Sequence, residues 1–158
     1  IGVGMRRVIS AIVLNEHGVL SRIVGLFSGR GYNIDSLTVA PIPESEFSRV
    51  TITTSGDARV FEQIVKQLHK LIPTYKVIDD SGEYVEKEMA LIKISLNEDF
   101  SGLDAILKSY NAIVANANEQ YIIIMGCDNS TRIDCFIKVM KKYNPIQIVR
   151  SGSVMMEV

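Results

Sequence analysis

From residue 7 to residue 14 the chain reads RVISAIVL, apolar at almost every position and rich in β-branched side chains. That pattern predicts a central strand covered on both faces. Beyond the polar corner Asn15-Glu16-His17-Gly18, Leu20, Ile23, Val24 and Phe27 recur at helical spacing. They predict a helix over about 19–30, with Gly31 suited to the left-handed position that ends it. Residues 32–40, closed by Pro41 and Pro43, predict a second strand. The segment SRVTITT at 48–54 alternates cleanly, with Val50 and Ile52 toward a core and Arg49, Thr51 and Thr53 facing away. Gly56-Asp57 supplies a turn and a helix cap, Phe61, Ile64, Leu68 and Leu71 mark a second helix up to Pro73, and residues 75–79 return as a strand.

The polar run Asp79-Asp80-Ser81-Gly82 is the clearest boundary, and the same order of elements follows it. Ala90, Ile92, Ile94 and Leu96 share one face of a strand over 84–96, and Ser101-Gly102-Leu103-Asp104 resembles a capping box before a short helix containing Ile106, Leu107 and Tyr110. Residues 112–118 and 120–126 pair as strands. Ile133, Phe136, Ile137 and Met140 form a helical stripe ending at Asn144-Pro145, and residues 146–150 close the module. The expected fold is α+β, two tandem ferredoxin-like βαββαβ modules over residues 5–80 and 83–158. Right-handed crossovers place both helices of each module on one face of an antiparallel sheet and leave the other face open.

A chain of 158 residues with a 47% apolar share has ample material for two small cores. Its 17 Lys and Arg nearly balance 18 Asp and Glu, so no global field steers it toward nucleic acid or an anionic membrane. No apolar run approaches the roughly 18 residues that span a bilayer. Cys127 and Cys135 are too few for a disulfide framework or a zinc cage, which favours a reducing cytoplasm. Residues 1–4 precede Met5 without any pattern and read as an expression remnant.

Chemistry concentrates between Asn15 and Ala40. At Gly18, Val19 and Leu20 the first turn of a helix offers backbone N–H groups without intrahelical partners, and Gly18 lets a ligand approach closely. A carboxylate there gains charge-assisted bonds and the favourable end of the helix dipole. Asn15 either caps the helix or touches the ligand. Asn33 sits in a turn or offers an amide oxygen to an ammonium group, beside Ile34 for an aliphatic side chain. Taken as a set, these groups suit a free amino acid.

The polar corner followed by G-V-L and then by G-Y-N-I resembles the ACT-domain pattern. The likeness extends through Met5-Arg6-Arg7, Leu20-Ser21-Arg22, Gly25-Leu26-Phe27-Ser28, Arg30-Gly31-Tyr32-Asn33-Ile34, Ser36-Leu37-Thr38-Val39-Ala40-Pro41 and Gln67-Leu68-His69-Lys70-Leu71. These segments resemble the regulatory small subunits of acetohydroxyacid synthase, also called acetolactate synthase. Leu91-Ile92-Lys93-Ile94 and Val149-Arg150-Ser151-Gly152 continue the resemblance into the second half, while residues 97–118 depart from it.

The resemblance implies a chain without catalytic residues and without a bound metal or cofactor. Such a chain stimulates a separate catalytic large subunit carrying thiamine diphosphate, magnesium and FAD, and makes it sensitive to a branched-chain amino acid, usually valine. It also implies a homodimer whose effector site takes Asn15, Gly18, Val19 and Leu20 from one chain and Asn33 and Ile34 from the other. Ala40 and Gln63 match positions that modulate feedback. The alternative is a stand-alone amino-acid-sensing ACT protein acting on another enzyme or on a transcription factor.

Neither His17 nor His69 has a nucleophile and a carboxylate at recognisable spacing, and Gly29-Arg30-Gly31 ends a helix instead of joining a strand to one. The third strand lacks the aromatics of an RNA-recognition sheet, no anion loop of acylphosphatase type follows the first strand, and no helix-turn-helix segment is left over.

Overall fold

The computed structural model describes residues 5–71 and 74–158. The reading of residues 1–4 and the helix stop at Pro73 lie outside the described residues. Among the described residues, eight strands and four α-helices follow in the order β1 (Met5–Leu14), α1 (Val19–Ser28), β2 (Asn33–Pro41), β3 (Phe47–Gly56), α2 (Ala58–Lys70), β4 (Thr74–Asp79), β5 (Tyr84–Ser95), α3 (Leu103–Ser109), β6 (Ile113–Ala117), β7 (Tyr121–Asp128), α4 (Ser130–Met140) and β8 (Gln147–Glu157). They form two four-stranded antiparallel sheets, ordered β2-β3-β1-β4 and β6-β7-β5-β8, so the βαββαβ pattern occurs twice. Two compact units result: Glu86–Ser153 is one, and the chain up to Val85 together with Val154–Val158 is the other.

In the first unit, β1 lies between β3 and β4, as its two-sided apolar character requires. Ile9 opposite Ile52 and Ala11 opposite Val50 turn toward the helices, where Ile23 and Phe27 of α1 and Phe61, Ile64 and Leu68 of α2 complete the core. Asp57 caps α2 as expected, its carboxylate accepting from the Arg59 N–H at 2.7 Å. Helix α1 ends in a paired cap: the Gly31 N–H donates to the Ser28 carbonyl and the Tyr32 N–H to the Phe27 carbonyl, with Gly31 at φ 69°. That geometry needs a left-handed residue, and glycine adopts it without steric penalty.

The face of this sheet turned away from the helices is buried around β1 and β3, as the two-sided apolar run of β1 predicts, although the crossover argument left that face open. Val8, Ser10, Thr51 and Thr53 point away from the helices and are nonetheless at most 3% exposed. Their hydroxyls pair across strands, Ser10 with Thr51 at 3.0 Å and Ser36 with Thr53 at 2.6 Å. At one end of this face Arg49 bonds the carboxylate of Glu157 at 3.0 Å, and Val154–Val158 belongs to the same unit. The C-terminal end of β8 thus arrives where solvent was expected.

The second unit closes over Ile92, Ile94, Ile124, Phe136 and Met140. Asn129 caps α4 by accepting from the Arg132 N–H. The expected capping box at α3 does not form. The Ser101 hydroxyl donates instead to the Asp99 carboxylate at 2.6 Å, and the helix starts from Gly102 at φ 81° without a side-chain cap. Strand β8 continues past Arg150, where the sequence pattern ended it, to Glu157, with Gly152 at φ 82° along the way.

Candidate functional site

The corner between β1 and α1 is built by two constraints. The Asn15 N–H donates to the Glu46 carbonyl at 2.9 Å, tying the corner to the β2–β3 loop, and Gly18 enters the helix at φ 82°. No side chain caps α1; Asn15 is exposed and does not do so. The first helical bond runs from the Arg22 N–H to the Gly18 carbonyl at 3.1 Å, so the amides of Val19, Leu20 and Ser21 precede the ladder and face out of the helix start. No acidic residue occupies this first turn, and a Cβ built on Gly18 would meet nothing within 4 Å. The helix start is therefore open, and its field favours an anion. Val19 is buried and anchors the turn, whereas Leu20 is 39% exposed beside it.

Asn33 opens β2 with its side chain exposed, while its carbonyl accepts from the Thr54 hydroxyl. Ile34 is half-buried against the core, and the register with β3 shifts immediately after it, leaving Asp35 as the extra residue of a bulge. Ala40 lies near the far end of β2, opposite Arg49 and exposed. Gln63 is exposed on α2 and accepts a long bond, 3.4 Å, from Arg30.

The fold brings these residues together in two groups and keeps the groups apart. Asn15 to Leu20 adjoin the end of the sheet where Leu14 pairs with Phe47; Asn33 pairs with Ser55 at the other end of β3. Eight residues of extended strand separate those two positions, about 27 Å at roughly 3.4 Å per residue. A single chain therefore cannot close both groups on one amino acid. Sequence reasoning gave no site role to Tyr32 or Thr54 and read Gly56 only as part of a turn, yet all three fix the Asn33 turn from behind. Only the G-Y-N spacing hinted at the first of them.

In the second unit a shallow groove of about 160 Å³ is lined by Leu91, Lys93, Ile123, Gln147 and Val149, and holds none of the residues expected to bind an effector. Among the described residues, no group of three or more His, Cys, Asp or Glu is placed to hold a metal ion, and no helix is long and apolar enough to cross a membrane.

Two ferredoxin-like modules, the first with an open helix start at a polar corner closed by Gly18, define a protein of the ACT class. The family model described as AHAS small subunit-like ACT domain matches residues 9–76, and that described as small subunit of acetolactate synthase matches residues 87–158. The acetolactate synthase small subunit of Buchnera aphidicola subsp. Baizongia pistaciae is 42% identical over 151 residues, covering 94% of this chain and 95% of its own. The isozyme 3 small subunit of Escherichia coli K12 is 39% identical over 155 residues, covering 95% and 94%. The crystal structure of the acetolactate synthase small subunit from Thermotoga maritima superposes with a TM-score of 0.84 at 30% identity, covering 98% of each chain. The chain belongs to the family of acetolactate synthase small subunits.

Proposed function

We propose that this chain is a non-catalytic regulatory subunit that binds valine, or a related branched-chain amino acid, between two of its copies and passes the binding on to a catalytic large subunit in the cytoplasm. One observation carries the reading: the two groups of effector residues lie at opposite ends of one sheet whose edge strand is β2. Two β2 edges that pair antiparallel about Leu37, the midpoint of Asn33–Pro41, bring Asn33 of one chain to the end where the other chain holds Asn15 and Gly18. Each site then takes the helix start for the effector's carboxylate from one chain, and the Asn33 amide oxygen for its ammonium from the other. The same pairing sets Ile34 opposite Ala40 of the partner subunit, which is how a small exposed residue can alter feedback.

Valine favours the paired arrangement that completes both grips. It regulates the enzyme to the extent that the large subunit prefers a different arrangement, a coupling of typically about 1 to 3 kcal/mol. Thiamine diphosphate, magnesium and FAD belong to the large subunit in this reading, and the small subunit supplies no reacting group. Mixing the chain with its cognate large subunit tests the proposal. The expected result is raised activity that valine then suppresses, and an enzyme indifferent to both additions refutes it.

A further inference from the structure

The turn that carries Asn33 is held to α2 at two points. Tyr32 is buried with its ring edge-on to Phe27, centroids 6.5 Å apart, and so close to Gly56 that a Cβ there would stand 2.7 Å from the ring. Its hydroxyl donates to the carbonyl of Asp57, the cap of α2, which also accepts from the Phe61 N–H at 3.0 Å. Burial pushes the phenol's pKa up, so it remains a donor across the neutral range. On the other flank of the turn, Arg30 reaches Gln63 on the exposed side of α2. The ladder alone does not hold this stretch, because the bulge at Asp35 interrupts it one residue beyond Ile34.

We infer that Tyr32, assisted by Arg30, is a positioning residue of the effector site: its hydroxyl ties residues 30–33 to the first turn of α2 and so sets where the Asn33 amide oxygen and the Ile34 side chain stand. The inference rests on the regulatory reading above and deepens it. Tyr32 does not touch the effector; it acts through Asn33. Gln63 acquires a physical route to feedback, since it receives the second tie of the same turn. Gly56 is the position that leaves room for the ring.

The test is a double-mutant cycle read by calorimetric titration of the full chain with valine. Tyr32→Phe keeps the ring over Gly56 and removes one hydrogen bond, so valine binding weakens about 3- to 10-fold. In the Asn33→Ala background the same change costs less, because one of the two groups it positions is gone. Arg30→Ala shifts affinity in the same direction. Wild-type affinity in Tyr32→Phe overturns the inference, as does an equal loss in both backgrounds, which marks general loosening. If the wild-type chain binds none of valine, leucine or isoleucine, the effector reading itself fails and this inference with it. Binding by wild type that Tyr32→Phe leaves unchanged overturns the inference alone.

Discussion

Gly18→Asp separates charge from backbone at the helix start. Gly18 is at φ 82°, where a side chain costs about 1 kcal/mol, and its Cβ would point into open space. The carboxylate itself sits at the favourable end of the α1 dipole and recovers roughly 0.3 to 1 kcal/mol, so the fold tolerates the change. The effector does not. Two carboxylates about 5 Å apart at an effective dielectric near 20 repel by about 3 kcal/mol, a loss of roughly 100-fold in affinity. Calorimetry with valine reads the affinity, and the reconstituted enzyme should keep its stimulation while losing valine inhibition. Gly18→Ala carries the same backbone penalty without the charge and should bind valine nearly as well as the wild type. Unchanged affinity in Gly18→Asp, or an equal loss in Gly18→Ala, refutes the assignment of the effector's carboxylate to this corner.

Asn33→Ala removes the acceptor for a charged ammonium and should cost about 1.5 to 3 kcal/mol of valine binding in the same titration. Gly126→Ala puts a methyl 2.7 Å from the buried Phe136 ring and should destabilise the second unit by about 1 to 3 kcal/mol in urea denaturation, without a change in valine affinity. The Asp79 carboxyl is held below its usual 3.8 by the Ser81 hydroxyl, with burial opposing. A depressed folded value stabilises fully above about pH 4 and is lost as pH falls through it. Ser81→Ala should therefore lower the melting temperature at neutral pH, with the difference from wild type shrinking toward zero in strong acid.

What the sequence discloses is what short-range chemistry dictates. The two-sided apolar run of β1 announces a central strand, and the Gly31 cap follows from a helical stripe that stops beside a glycine. Competing local bonds misled at Ser101, whose hydroxyl is taken by Asp99, and the last strand, read over 146–150, runs on through Gly152 to Glu157. The candidate effector residues were legible as a possible set from their chemistry, and only resemblance favoured that reading over a plain cap and turn. Their separation to opposite ends of the sheet depends on strand register, which pattern alone does not reveal. The part played by Tyr32 needed a partner 25 positions away, and nothing local marks Asp57 as that partner.

The first unit is discontinuous along the chain, because Val154–Val158 belongs to it while Glu86–Ser153 does not. Domains usually fold as they emerge from the ribosome, N-terminal first. Here Glu157 can reach Arg49, beside the hydroxyl-lined face around Ser10 and Thr51, only after Glu86–Ser153 has been synthesised, so the first half of the molecule is completed after the second has been made. A chain terminated after the first module would lack a piece of that half, and any change in its valine response would report on both units at once.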